Sequence, residues 1–299
     1  MILSQREHGL CLVEQVEHGR IAGVLAAQWG NDRFDTPRPR ESVIVAASLH
    51  DEGWRARDLQ PVLNEVARRP EHFLEIEPDA HVRLYSEGVE KVRLGDVYAG
   101  LLVGMHWTGL YRGRWSGPHA RGRLARDAAD ERRLDEAVLQ EEHRWVEERR
   151  RAWQEDEPRA AFEQNLWHTY ELLQLWDLLS LYLCVMPHEP GDRSGLRQPW
   201  GPQLTSLTHE PEAVTLPSVR TGAYGPRVTI AAFVDSQSTV TVDPWPFVAP
   251  SFTVEIEQRV LPDLPLERSV PWEAVAGART EALSWTITSP ACTREYTHA

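Results

Sequence analysis

Hydrophobic and polar positions divide the chain into two parts that differ in periodicity. From about residue 12 to 186, apolar residues mostly recur at helical spacing, whereas from about 204 to 290 they alternate with polar ones. Residues 188–203 are rich in proline and glycine and cannot continue a helix. We therefore expect a mainly α protein, with a helical domain over 1–187, a linker, and an antiparallel β-rich C-terminal extension over 204–299.

Five helices are predicted in the first part. They cover about residues 13–29, 41–51, 94–110, 126–153 and 162–185. The second, third and fifth are largely apolar and are expected to be buried, whereas the fourth is dense in glutamate and arginine and is expected at the surface. Half-exposed antiparallel strands are predicted over 227–234, 239–242 and 251–257.

Composition narrows the class of protein. The chain has 299 residues, 41% of them hydrophobic, and 12 tryptophans, which argues against wholesale disorder. The net charge of -13 argues against a nucleic-acid partner. No apolar run approaches the ~20 residues of a membrane span, and the first residues lack the pattern of a signal peptide. With three dispersed cysteines and no CxxC pair, we expect a cytoplasmic protein with no membrane partner.

Acidic residues inside apolar helices are the first candidates for chemistry. The pair His50-Asp51 closes an apolar helix, and Asp177 lies among leucines in the fifth helix. Burying an unpaired carboxylate costs several kcal/mol, so each needs a partner. A structural helix cap at Asp51, and an exposed helix edge at Asp177, are the alternatives to a functional site.

Two histidines extend this set. His18 is flanked by small residues that allow close helix approach, and His106 is embedded in an apolar segment. Each alone is compatible with an ordinary surface or packing histidine. Together with the acidic candidates they lie on separate predicted helices, and imidazole with carboxylate suits Mn, Fe, Co, Ni or Zn. We therefore expect a divalent-metal site, of one or two ions, inside a helical bundle. Its ligands are His18, His50, Asp51, His106 and Asp177.

The string Leu49-His50-Asp51-Glu52-Gly53 resembles the "hHDxG" signature of the HD-domain superfamily of metal-dependent phosphohydrolases, where h is apolar. This resemblance implies an HD-like helical bundle with His18, His50, Asp51 and Asp177 on one metal. It makes His106 the added ligand of a second metal, with Asp51 as the bridging carboxylate and His119 as a further candidate.

The chain also resembles an uncharacterised bacterial family with an HD-like core. The resemblance covers nearly all of the chain and is carried by residues 18–23, 50–54, 176–184 and 244–247. It implies no particular activity.

The superfamily resemblance implies hydrolysis of a small phosphate ester, either a nucleotide or another phosphomonoester. A bound metal polarises a phosphoryl oxygen and lowers the pKa of its water toward ~7. Many relatives carry a lysine directly after HDxG, where this chain has Trp54, so Arg55 or Arg57 is expected to contact the phosphate instead. The candidate catalytic residues are Asp51, Arg55 and Glu52, of which Glu52 either acts as an outer base or points into water.

Two other functions fit the same ligand set. One is an HD-type di-iron oxygenase that acts on a small molecule. The other is a non-catalytic sensor or scaffold whose metal is structural, with a closed ligand shell. The β-rich tail could cover the site or form a dimer contact, so a homo-oligomer stays open.

Overall fold

The protein is an α/β fold in which a mixed sheet packs beside a layer of helices. The computed structural model describes residues 1–6, 9–66, 69–114, 127–153, 156–185, 213–234, 238–262, 275 and 277–290. Within these ranges, seven strands form one sheet in the order β1-β2-β10-β11-β9-β8-β5. Neighbouring strands are antiparallel except β11 and β9, which are parallel.

The strands are β1 Ile2–Arg6, β2 Gly9–Val13, β3 Leu63–Asn64, β4 Arg69–Pro70, β5 Ala213–Thr215, β6 Val219–Arg220, β7 Arg227–Val228, β8 Ala231–Val234, β9 Thr239–Asp243, β10 Ser251–Pro262 and β11 Arg279–Thr288. The helices are α1 Gln15–Gln28, α2 Arg40–Leu49, α3 Arg55–Leu59, α4 Pro78–Gly95, α5 Val97–Arg112, α6 Ala128–Ala152 and α7 Arg159–Val185. Short 3₁₀ turns occur at Glu52–Trp54 and Phe73–Glu75.

The expectation of a mainly α bundle with a C-terminal β extension is wrong. Strands β1 and β2 precede the first helix, and β2 pairs with β10, so that Leu12 lies opposite Arg259. One sheet thus contains strands from both predicted domains. The hairpin is hard to see in the sequence because a five-residue apolar run such as β2 resembles the start of the helix that follows it.

The five predicted helices overlap α1, α2, α5, α6 and α7, with ends shifted by a few residues. Helix α4 was not anticipated. Its buried face follows helical spacing but is made of His81, Tyr85, Gly88, Val89 and Val92, of which only two are aliphatic. A helix whose buried side is polar, aromatic and glycine-rich gives a weak hydrophobic period.

The observed strands also differ from the predicted ones. The segment 227–234 is divided into β7 and β8, and the segment 251–257 is part of the longer β10. The parallel pairing of β11 with β9 departs from the all-antiparallel arrangement that we expected. Cys11 and Cys184 are buried, while Cys292, the predicted linker and the whole 204–212 segment lie outside the described residues.

Small residues let α1 and α2 approach closely. A methyl group built at Gly23 would overlap the side chain of Ser48, and one at Gly19 would lie 2.9 Å from the Ser48 carbonyl oxygen. This contact brings His18, next to Gly19, toward the end of α2, where His50 follows. Helix α7 packs against both α1 and α2. Among the described helices, none is both long and apolar enough to cross a membrane.

Candidate metal centre

His18, His50 and Asp51 meet in the interior of the helical layer. Nε2 of His18 lies 3.0 Å from Oδ2 of Asp51 and 3.2 Å from Nε2 of His50. All three residues are at most 3% exposed. This buried group can hold a metal ion, because one donor atom from each residue lies within 4.8 Å of the others.

Outer hydrogen bonds point both Nε2 lone pairs into this centre. Nδ1 of His50 lies 2.8 Å from the carbonyl oxygen of Ala47, which can only accept, so the ring proton is on Nδ1. Nδ1 of His18 lies 2.8 Å from Oγ of Ser180, and that hydroxyl donates its own proton to the carbonyl of Asp177. His18 therefore donates to Ser180, and with Nδ1 of each ring occupied in this way, Nε2 is the atom that each ring can offer to a metal.

Asp51 is held by residues on two other elements. The hydroxyl of Tyr85, on α4, donates to Oδ1 at 2.8 Å, and the side-chain amide of Gln15, on α1, donates to Oδ2 at 3.2 Å. The Tyr85 ring is packed against Trp54, whose ring centroid lies 6.4 Å away. The position of the carboxylate is thus fixed by partners, and Oδ2 faces the two imidazoles.

Asp177 joins the same centre from α7. Its Oδ1 lies 3.4 Å from Nε2 of His50 and 3.7 Å from Nε2 of His18, and the residue is only 7% exposed. The structure therefore places this residue beside the doublet, 126 positions away along the chain from Asp51 (177 − 51). The alternative of an exposed helix edge does not apply to it.

The spacing of these donor atoms suits a metal ion. Metal–ligand bonds of 2.0–2.1 Å at tetrahedral angles place neighbouring donors about 3.3 Å apart. Five of the six pairwise separations among the four residues, all except that between the two carboxylates, run from 3.0 to 3.9 Å. Two imidazole nitrogens and two carboxylate oxygens are also the donor types that borderline divalent metals prefer.

The electrostatics of the centre favour a cation. Burial lowers the pKa of His50, but the carboxylates of Asp51 and Asp177 outweigh burial and raise that pKa to about 9. Burial would likewise raise the pKa of Asp51, yet His50 and His18 hold it well below its usual range. The pKa of Asp177 is also lowered against burial, mainly by its hydrogen bond with His50. Two carboxylates thus stay ionised in the interior.

His106 lies next to the centre but has a different partner. Its ring centroid is 4.9 Å from that of His50, and its Nδ1 lies 2.7 Å from Nε2 of Gln174. Burial lowers the pKa of His106 to about 4, so the ring is neutral near pH 7. With Nδ1 accepting the Gln174 proton, the ring proton is on Nε2, which suits a hydrogen-bond donor better than a metal ligand.

Glu52 and Arg55 turn to each other instead of to the histidines. Nε and Nη2 of Arg55 lie 2.9 and 2.6 Å from the two carboxylate oxygens of Glu52, and Lys91 contacts the same carboxylate. The hydrogen bond from Arg55 lowers the pKa of Glu52 against partial burial. A carboxylate that is so paired is a weak base.

Arg57, the other phosphate-contact candidate, has a structural partner too. Trp54 occupies the position after HDxG and is buried, while Arg57 forms an ion pair with Glu71. His119 lies outside the described residues.

The residue two positions after Asp51 must be small, because the backbone of Gly53 lies directly against helix α4. A methyl group built there would overlap the carbonyl oxygen of Leu84 on α4, and Gly88 faces it from the same helix. The 3₁₀ turn can therefore press against α4, which puts Tyr85 within reach of Asp51.

Sequence reasoning missed the residues that orient the ligands and the neighbouring His106: Gln15, Tyr85, Gln174 and Ser180. A signal was available for two of them. Gln174 and Ser180 are polar positions, three residues before and after Asp177, in a segment (172–185) whose other residues are largely apolar. A polar side chain in an apolar helical segment, the feature that identified Asp177 as a candidate, is also present at Gln174 and Ser180.

A cavity of about 880 Å³ lies elsewhere on the same helices. It is lined by Ser42 on α2, Tyr98 on α5 and His168 on α7, among other residues. These positions precede His50, His106 and Asp177 by eight or nine residues, which is about 12–14 Å of helix. The cavity is thus separate from the metal centre.

Comparisons with known proteins give a family and no activity. Searches of curated proteins and of solved structures find no match to this chain. A family described as "Protein of unknown function (DUF3891)" matches residues 1–263. That match includes every residue of the candidate metal centre, and the chain belongs to the DUF3891 family.

Proposed function

We propose that the protein is a divalent-metal-dependent hydrolase of small phosphate esters, related to the HD-domain phosphohydrolases. One observation carries the proposal: Asp177 approaches His50 to 3.4 Å at a site where His18 and Asp51 are already grouped. A His, a His-Asp doublet and a late Asp are the four metal ligands that the HD signature implies. Their convergence, with donor spacings near those of a metal shell, supports one ion at this point.

The metal ion, when bound, supplies Lewis-acid polarisation of a phosphoryl oxygen and an activated water. The protein's own residues hold the ligand atoms in place. Ser180 and the Ala47 carbonyl direct the two imidazoles, and Tyr85 fixes the carboxylate of Asp51. We propose Mn, Fe, Co, Ni or Zn as the ion, and His106 as a hydrogen-bond donor beside it.

Glu52 and Arg55 are not part of this proposal, because each neutralises the other. The substrate class rests on the HD resemblance alone, with a nucleotide or another small phosphomonoester as the natural choice.

The test begins with metal content. Purified wild-type protein is expected to contain, or to take up, about one divalent ion per chain. The variants His50→Ala and Asp177→Ala should lose it, while His143→Ala, an exposed histidine on α6, should keep it. Equal metal content in all four proteins, with folding confirmed by circular dichroism, would refute the site.

The activity is tested next, with a panel of phosphomonoesters and nucleotides in the presence of Mn²⁺, Co²⁺ or Ni²⁺. Phosphate release that requires both the metal and Asp177 supports a hydrolase. Oxygen consumption by iron-loaded protein, without phosphate release, would replace this proposal by the oxygenase alternative. A bound metal without either activity would favour a structural or sensing role.

A further inference from the structure

A second cluster of polar residues lies away from the metal centre, where α6 faces α7. We call it the Arg-Trp cluster and define it as Arg114, Trp145, Arg149, Trp167 and Tyr170. The guanidinium carbon of Arg114 lies 5.1 and 5.9 Å from the ring centroids of Trp145 and Trp167. That of Arg149 lies 5.5 and 5.6 Å from the same rings. Two positive groups therefore share one pair of aromatic rings.

The outer N–H groups of both arginines are occupied. Nη2 of Arg114 lies 2.7 Å from Glu142, and Nη1 of Arg149 lies 3.5 Å from Glu163. Neither carboxylate serves the cluster alone, because Glu142 also pairs with Arg112 and Glu163 also pairs with Arg159. The charge of the two cluster arginines is thus only partly balanced.

The inner polar atoms of the cluster are buried and lack hydrogen-bond partners among the described residues. They are Nη1 of Arg114, Nε of Arg149 and Nε1 of Trp145. Within the same described ranges, the hydroxyl of Tyr170 is engaged only by Arg114, within the cluster, which leaves its own proton to donate. Trp145 is 5% exposed and Tyr170 is fully buried. Buried polar groups normally have partners, so three such nitrogens and one unused hydroxyl proton within a single cluster call for an explanation.

All four groups can donate a hydrogen bond, and the two nitrogen types can only donate. Burial lowers the pKa of Arg149 despite the opposing effect of Glu163, and the nearby positive charges of Arg159 and Arg114 add to the lowering. The missing component is therefore an acceptor that carries negative charge.

We propose that the Arg-Trp cluster binds the phosphate group of a small molecule. Donors from four different side chains match the several acceptor oxygens of a tetrahedral oxyanion better than those of a planar carboxylate. Two guanidinium groups also match the double charge of phosphate near pH 7, and arginine is well suited to phosphate oxygens.

The cluster is distinct from the metal centre but adjoins it along α7. Tyr170 precedes Asp177 by seven residues, which corresponds to about 10 Å of helix. The proposal stands on the cluster's own contacts and does not depend on the proposed hydrolase activity. It holds even if the protein binds no metal.

Isothermal titration calorimetry with inorganic phosphate tests it, in buffer without other oxyanions and at constant ionic strength. We expect saturable binding of one phosphate per chain and, in a parallel arm, no saturable binding of acetate. Arg149→Met should weaken phosphate binding at least tenfold, whereas Arg150→Met, its exposed neighbour on α6, should leave it unchanged. Glycerol 3-phosphate forms a third arm of the experiment. If it binds more tightly than inorganic phosphate, the site is assigned to an organic phosphate. If the two bind equally well, the site is assigned to the free anion.

Tyr170→Phe keeps the proposal testable if Arg149→Met does not fold, because it removes a single hydroxyl from the buried ring. We expect it to weaken phosphate binding several-fold with an unchanged circular dichroism spectrum. The proposal is overturned if wild-type protein shows no saturable phosphate binding, or if neither variant changes it.

Discussion

Ser180 offers the sharpest test of how the metal centre is organised, because it touches the site through another residue. Its hydroxyl accepts from Nδ1 of His18 and donates to the Asp177 carbonyl, each at 2.8 Å, and the residue is fully buried. In Ser180→Ala the His18 proton has no acceptor at this position. The ring then loses the contact that keeps its Nε2 lone pair directed at the metal.

The expected size of the effect follows from the contacts removed. A buried donor left without its partner costs about 1–3 kcal/mol. Loss of an outer partner of a metal-bound histidine typically weakens metal binding by about 10–100-fold, which corresponds to roughly 1.4–2.8 kcal/mol. Ser180→Ala should therefore bind the metal at least tenfold more weakly while keeping all four ligand residues.

Titration of metal-free protein with Mn²⁺ or Zn²⁺ by calorimetry, together with thermal unfolding, measures both effects. Thr108→Val is the matched control, since within the described residues that buried hydroxyl bonds to carbonyls of its own helix alone, at Gly104 and Met105. If Ser180→Ala and Thr108→Val bind the metal as tightly as the wild type does, His18 is not oriented by Ser180, and our assignment of its ring proton is wrong.

Three further variants probe other parts of the structure. Gly53→Ala should lower the free energy of unfolding by about 1–3 kcal/mol in urea denaturation, because its methyl group overlaps α4, whereas Gly95→Ala, which faces open space, should not. Tyr85→Phe should reduce metal affinity in calorimetry by about tenfold with little loss of stability, and unchanged affinity would show that its hydroxyl has no orienting role. Burial raises the pKa of Glu141 in the folded protein from its ordinary 4.5 to about 7, so the folded state binds the extra proton and stability should fall by about 1–3 kcal/mol as pH rises through this window. Glu141→Gln should make the loss of stability between pH 5 and pH 8 in urea titrations smaller by this amount, whereas the exposed control Glu147→Gln should not. A decline equal to that of the wild type would contradict the assignment.

The ligand residues could be selected from the sequence because they break a local rule. Asp177 in an apolar helix and His50-Asp51 at the end of another are costly unless something offsets them. The structure brings both together with His18. The tautomers, and the separate partner of His106, could not be derived in this way, because they depend on which atoms face each other across three helices.

The fold was harder to predict from the sequence than the candidate site. Helical periodicity located α1, α2, α5, α6 and α7, since each has an apolar stripe or is apolar throughout. The N-terminal hairpin could not be assigned, because what makes it part of the sheet is its pairing with β10, near the other end of the chain. Local pattern carries no information about such a partner.

That pairing has a consequence for biosynthesis. Leu12 lies opposite Arg259 in the sheet, 247 residues later (259 − 12). At a translation rate of about 5–20 residues per second, β10 is synthesised roughly 12–50 s after the hairpin of β1 and β2. During that interval a buried, wholly apolar edge has no strand beside it, so the nascent protein should depend on chaperones that shield such edges. A fragment that stops near residue 187 keeps this exposure permanently, and we expect it to aggregate where the full chain does not.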